Sequence, residues 1–374
     1  MVTINYRLNA FGFLCHPEIT AEAPEAPANF GHLDQQAATR WVQRNIGAFG
    51  GDPDNLTIGG QSAGGSSVMN QLTSPQNKDL CQRAIVQSGL FNKLYPNPGM
   101  PRFLRTIEEA EREGIQFFSF LGANSLEEAR KLDAVYVRDK MVEYNKAFWG
   151  TVVDHKFSVG NAFELFLQNK RLQVPVMLGH TTDEFLSIPE AASRDEFRRM
   201  AVEMFDQDAN AFLELCGFSS DILEEVISKA SVNGIEYAIR IAGQANADTG
   251  ADIPFYYYNF EADIPGWDNP GAFHSVDLWF FFETLAKCWR PFVGKHYDLA
   301  RQMCNYWANF IRTGDPNGKD STGEEMPIWE PYTPDAPFGM KFAGQAEFAR
   351  EVPDDIMKFL VKAYFRQNQR ILAE

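Results

Sequence analysis

The segment Gly60-Gln-Ser-Ala-Gly64 constrains this chain more than any other feature. A short apolar run, Leu56-Thr-Ile-Gly-Gly60, precedes it and reads as a strand, and the residues after it to about Leu72 read as a helix. A strand, a glycine-tight turn and a helix in direct succession hold the middle residue of the turn, Ser62, out at the carboxyl end of a sheet. Glycines at 60 and 64 are expected because side chains there would collide with neighbouring backbone in so sharp a turn. The serine hydroxyl then sits near a helix N-terminus whose free N–H groups favour developing negative charge. A Gly/Ser-rich connection without chemistry has the same composition, but strand, turn and helix in this order favour a nucleophile.

The remaining pattern supplies a sheet for that turn. Val2–Tyr6 is β-branched and aromatic and predicts a strand, leading into a loop that holds Pro17, Pro24 and Pro27. Leu33, Ala37, Trp41 and Val42 recur at helical spacing up to Asn45, and Gly47, Gly50, Gly51 and Pro53 end the run. Further buried strands are expected at Ala84–Gln87, Val174–Gly179 and Pro254–Asn259. Residues 101–170 and 194–248 read as largely helical insertions, the first interrupted by the strand-like Thr151–Val153. Helices are also expected at 276–285, at 296–312, and from Asp354 to about Gln369. Strands alternating with helices predict an α/β fold, one domain over 1–374 around a mostly parallel sheet with helices on both faces.

Composition removes several classes of function. With 34 Lys plus Arg against 50 Asp plus Glu the formal charge is −16, which disfavours a nucleic-acid partner or an anionic membrane surface. No apolar run is long enough for a membrane span. Cys15, Cys81, Cys216, Cys288 and Cys304 are odd in number and form no C-x-x-C pair, so neither a disulfide framework nor a structural zinc is expected, and the usage leans cytoplasmic. His16, His32, His155, His180, His274 and His296 show no metal-binding spacing, and no cofactor is expected.

A serine nucleophile needs a base, and the base needs an acid that holds its tautomer. Glu184 follows the strand ending at Gly179, and His274 follows the strand ending at Asn259, in a loop rich in Gly and Pro. The order serine, acid, histidine along the chain is one that serine hydrolases use. Taken singly, His274 is an ordinary loop imidazole and Glu184 a solvated or helix-capping acid. Asp183 competes with Glu184 for the acid's role, and spacing does not separate the two.

The stretches Asn5–Leu14, Asn29-Phe-Gly-His-Leu-Asp-Gln35, Trp41–Ile46, Phe49-Gly-Gly-Asp-Pro53 and Gly60-Gln-Ser-Ala-Gly-Gly65 resemble the type-B carboxylesterases, the group of cholinesterases and related lipases. The resemblance continues through Ala84–Gly89, Gly150–Asp154, Asp183-Glu184, Gly271–His274 and Trp307–Pro316, nearly the whole chain. It implies the α/β-hydrolase fold, with Ser62 as nucleophile, Glu184 rather than Asp183 as acid, and His274 as base. It also implies an ion pair between Arg7 and Asp52.

Two departures from the family pattern bear on function. Gln61 stands where the family usually has Glu, so a neutral amide next to the substrate should disfavour cationic, choline-like esters. The family's Gly-rich oxyanion loop normally lies upstream of the strand beginning near Val2, so the chain reads as N-terminally incomplete, with the N–H of Ala63 as the remaining expected oxyanion donor. One lost donor costs about 10²–10³ in rate. The expected function is a serine carboxylesterase acting on a small-molecule or carbohydrate-linked ester. The alternatives are a catalytically silent binding or adhesion relative, or an inactive truncated copy. The aromatic residues Phe148, Trp149, Trp267, Phe273 and Trp279–Phe282 either line a pocket or, as aromatic stripes more often do, belong to the core.

Overall fold

The computed structural model describes residues 1–90, 92, 94–95, 104–144, 149–249, 252–343 and 349–368. Its centre is a six-stranded sheet whose strands follow their chain order across it. These are β1 (Thr57–Gln61), β2 (Arg83–Gln87), β3 (Val176–Thr181), β4 (Phe255–Phe260), β5 (Gly339–Phe342) and β6 (Ala349–Glu351). The first five pair in parallel, and β6 returns antiparallel to β5. The register runs Gln61↔Gln87, Gln87↔Gly179, Gly179↔Tyr258, so the carboxyl ends of β1 to β4 stand level along one rim. This is the α/β-hydrolase architecture expected from the sequence.

Alternation along the strands explains why both faces are covered. Ala84, Val86, Val176, Leu178, Phe255 and Tyr257 belong to one buried cluster, and Ile85, Met177, Tyr256, Tyr258 and Phe260 belong to the other. Successive side chains of a strand point to opposite faces, so a strand apolar at every position needs a layer on each side. The principal helices are α1 (Phe30–Asn45), α2 (Ala63–Thr73), α3 (Ile107–Leu121), α4 (Gly234–Asp248), α5 (Asp277–Phe281), α6 (Gly294–Thr313) and α7 (Asp355–Gln367). Val68, Met69 and Leu72 of α2, Ile239 and Ile241 of α4, and Leu360 of α7 cover the first face. Phe280 of α5 and Met303, Tyr306, Trp307 and Phe310 of α6 cover the second. Each such buried side chain contributes about 1.5–3 kcal/mol.

The helix starts follow from local chemistry. Thr106 and Glu109 form a reciprocal cap on α3, and the Asn233 side chain accepts the N–H groups of Ile235 and Glu236 at 2.9 and 3.1 Å at the start of α4. Within 101–170 the chain also forms helices at 126–129, 134–143 and 162–167, and Val152–Val153 pairs with Arg105–Thr106. Residues 101–103, 145–148 (with Phe148) and Gln369 lie outside the described residues.

Three expectations are corrected. Val2–Tyr6 forms no strand and pairs with none among the described residues, because β propensity needs a partner edge before it becomes a strand. The Pro-containing stretch after it forms short helices at Asn9–Phe13 and Pro17–Glu22, the second opened by the His16 side chain accepting the Glu18 N–H at 3.2 Å. Arg7 pairs with Asp34, not Asp52: its Nε and Nη2 donate to the Asp34 carboxylate at 2.8 and 2.7 Å. Asp34 lies in the first turns of α1, where the Phe30 ring also meets the Arg7 guanidinium at 5.4 Å. Asp52 lies beyond the other end of that helix and accepts the Asp54 N–H instead. Strands β5 and β6 were not read from the sequence, since short runs such as Gly339-Met-Lys-Phe carry little periodicity of their own.

Candidate active site

Ser62 stands between β1 and α2 with φ 55° and ψ −123°, a conformation that a non-glycine residue adopts only under constraint. Its N–H donates to the Gln87 carbonyl at 2.8 Å, and its own carbonyl accepts the Ser66 N–H at 2.9 Å, so the turn is tied to β2 and to the first turn of α2. A Cβ on Gly60 would run into the Gly64 carbonyl, whereas nothing lies within 4 Å of the place a Cβ on Gly64 would take. The collision expected at both flanking glycines therefore holds for Gly60 alone.

Ser62 Oγ lies 2.8 Å from His274 Nε2, and His274 Nδ1 is in a short hydrogen bond with Glu184 Oε2. The three groups come from the carboxyl ends of β1, β3 and β4, which the level register brings to one rim. Glu184 is 3% exposed and its other oxygen accepts the Thr181 N–H at 2.9 Å. Burial pushes its carboxyl up, but the hydrogen bonds from His274 and the Thr181 N–H outweigh that, and the carboxyl is held below the usual range. An ionised carboxylate only accepts, so Nδ1 carries the ring proton and Nε2 presents its lone pair to the Ser62 hydroxyl.

Asp183 and Glu184 stand differently toward the imidazole. Asp183 turns away from the imidazole: its carboxylate accepts the Ala272 N–H at 2.7 Å, and its own N–H donates to the Ala272 carbonyl at 3.1 Å. Asp183 thus clasps the loop that carries His274, while Glu184 meets the ring. Gln61 is placed on the imidazole too, its Nε2 3.3 Å from His274 Nε2 beside the serine. Ala63 is exposed and is the first residue of α2, where N–H groups have no intrahelical acceptor.

Sequence reasoning missed a second buried acid. Asp277, the first residue of α5, is fully buried, and its Oδ2 accepts from Tyr258 Oη at 2.9 Å and Gln87 Nε2 at 3.0 Å. Burial pushes its carboxyl up to about 6 against those two hydrogen bonds, with the Glu184 charge adding to the rise. The signal was present: one acid inside the aromatic run Val276-Asp-Leu-Trp-Phe280 has no reason to be there unless it is bonded. Phe185 was also missed; its ring meets His274 edge to face, centroids 4.7 Å apart.

Of the aromatic candidates, Trp149 packs on Phe117, Phe273 and Trp279 pack against the second core cluster, and Trp267 is exposed. Among the described residues no three His, Cys, Asp or Glu side chains converge as a metal site, and no helix is long and apolar enough to cross a membrane. Burial pushes the Cys81 and Cys216 thiols up to about 12, so neither competes with Ser62 as a nucleophile.

Comparison with known proteins agrees with this geometry. The chain is 26% identical over 369 residues to a mouse cholinesterase, covering 88% of this chain and 58% of that protein. It is 28% identical over 344 residues to a fumonisin B1 esterase of Sphingopyxis macrogoltabida, covering 85% of this chain and 60% of the relative. Among solved structures, a carboxylesterase of Geobacillus stearothermophilus superposes with a TM-score of 0.71 at 27% identity, over 97% of this chain and 74% of that one. The chain spans about 60% of the length of the curated relatives it matches. The sequence pattern of the carboxylesterase family matches residues 1–359, and the chain belongs to that family.

Proposed function

We propose that the protein is a serine carboxylesterase that hydrolyses uncharged esters through an acyl-enzyme. The observation that carries this reading is the unbroken run of hydrogen bonds from Ser62 Oγ through the imidazole of His274 to the buried Glu184. His274 Nε2 takes the hydroxyl proton as Ser62 Oγ attacks the ester carbon, and Glu184 stabilises the imidazolium that forms. The Ala63 N–H at the start of α2 donates to the oxyanion. As the tetrahedral intermediate collapses, the C–O bond to the alcohol breaks and Nε2 returns its proton to the leaving oxygen. Water then attacks the acyl group by the same route, the acid leaves, and Ser62 regains its proton. Gln61, neutral and beside the imidazole, puts no negative charge near the alcohol, which fits uncharged rather than cationic esters.

A fluorophosphonate probe tests this reading, because it reacts with an activated serine and needs no turnover. The expected result is stoichiometric labelling that maps to Ser62 and disappears in Ser62→Ala. Labelling that persists in Ser62→Ala, or no labelling of the wild-type chain, overturns the reading.

A further inference from the structure

Phe185 stands beside this site in a backbone conformation unusual for an aromatic residue. It follows Glu184 directly and has φ 44°, in the left-handed region that aromatic side chains rarely adopt. The backbone is held there on both sides. Glu184 before it is fixed inward by Thr181 and His274, and the Phe185 carbonyl accepts the Gly234 N–H at 3.1 Å. Leu186–Ser187 after it pairs with Val232–Asn233. The consequence is that the ring stands edge to face on the imidazole of His274, at 79° between planes, and is still 45% exposed. An apolar ring of this size, held in an unfavourable backbone conformation and left half open to solvent, gains little for the core.

The place of the ring decides what it touches. In the reaction proposed above, His274 Nε2 must deliver its proton to the oxygen of the leaving alcohol, so the alcohol portion of the ester lies against the imidazole. The acyl portion, bonded to Ser62 Oγ, does not have to. A half-exposed ring that rests on that imidazole is therefore available to the alcohol portion. We infer that Phe185 forms the alcohol-side wall of the ester site and selects esters of apolar, aromatic alcohols. This inference rests on the carboxylesterase reading of Ser62, His274 and Glu184. Stacking of an aryl alcohol on the ring makes this a contact that strengthens binding beyond area burial alone.

The test varies one half of the ester at a time. Benzyl and propyl acetate share an acetyl group and differ in the alcohol, whereas propyl acetate and propyl butyrate share the alcohol and differ in the acyl group. The variants are Phe185→Gly, which tolerates φ 44° without strain, and Phe185→Leu, which keeps apolar bulk without an aromatic face. The expected result is that the benzyl-to-propyl ratio of kcat/KM falls about tenfold in Phe185→Gly and recovers only in part in Phe185→Leu. The butyrate-to-acetate ratio should stay within about twofold of wild type, since the acyl group lies on the other side of the reacting carbon. Loss of activity shared equally by all three esters would mean the ring only supports His274, and would overturn the inference. A change confined to the acyl pair would overturn it as well, by putting the ring on the acyl side. If wild type neither turns over these esters nor labels with fluorophosphonate, the carboxylesterase reading and this inference fail together; labelling with unchanged ratios sinks the inference alone.

Discussion

His274 and His180 each stand near a glutamate and a hydroxyl, and only the first is arranged for chemistry. At the sheet rim, His274 joins Ser62 to Glu184. On β3, His180 Nε2 meets the Tyr257 hydroxyl at 3.0 Å, with Glu236 Oε2 3.9 Å away. The difference lies in who holds the carboxylate and what reaches the ring. Arg240 takes one oxygen of the Glu236 carboxylate at 2.6 Å, and the other stands 3.9 Å from the imidazole, beyond hydrogen-bond reach. Glu184 has a backbone N–H and the imidazole itself as partners. The His274 side chain is 29% exposed and can meet a substrate, whereas that of His180 is 1% exposed. Burial holds His180 below the ordinary imidazole range, so it stays neutral where a catalytic base must accept a proton. The residue types do not make a nucleophile; carboxylate ownership and access do.

The strongest way to break this comparison is to exchange the acids. Glu184→Gln should lower kcat for a short-chain ester by about 10³-fold or more, because an amide can hold the wrong imidazole tautomer and cannot stabilise the imidazolium. Asp183→Asn, which retains an oxygen to accept the Ala272 N–H, should stay within a few-fold of wild type. His180→Gln should leave the rate of fluorophosphonate labelling within a few-fold as well. If Asp183→Asn proves the more damaging of the two acid variants, the assignment of Glu184 is wrong.

A pH series sharpens the contrast further. His180 is held below its ordinary range by burial, and burial likewise pushes His32 down to about 4. Each binds its proton more weakly in the folded than in the unfolded chain. Their stabilisation is present in full above about pH 6.5 and is lost as pH falls toward the folded values. His32 alone accounts for about 2 kcal/mol between pH 7.5 and pH 5. Urea midpoints should therefore drop on acidification, and less steeply in His180→Gln than in wild type. Parallel curves for the two proteins would show that His180 titrates as freely as a surface residue.

The last effect, similar in size, belongs to Asp277 and has the opposite sign. Its folded value of about 6 lies above the ordinary carboxyl range, so its contribution to stability is lost as pH rises from about 4 through 6. Asp277→Asn should gain stability relative to wild type at pH 7 compared with pH 4, by about 2 kcal/mol. A constant difference at the two pH values would mean that Asp277 is ionised throughout.

Much of the site could be read before the fold was known, because its signals are local. The turn Gly60–Gly64 carries its strand and its helix with it, and the family motifs mark Ser62, Glu184 and His274 residue by residue. The Arg7 partner was misread for the opposite reason. A salt bridge across a loop depends on which end of α1 comes back to the first residues, and no local pattern records that. Strand character at Val2–Tyr6 failed in the same way: the residues favour extension, but a ladder requires an adjacent edge.

What the sequence by itself determined is the strand–turn–helix run from β1 into α2, the two-faced apolar pattern of β2 to β4, and which residues are candidates for nucleophile, base and acid. Tertiary structure alone decided that Asp183 clasps a loop while its neighbour Glu184 meets the imidazole, that Gln61 turns onto His274, and that Phe185 rests on the same ring. It also decided that His180 is dry and idle. The reason is physical: periodicity and propensity act over a few residues, whereas hydrogen-bond ownership and burial are set by segments of the chain some 90 or more residues apart meeting at one sheet rim.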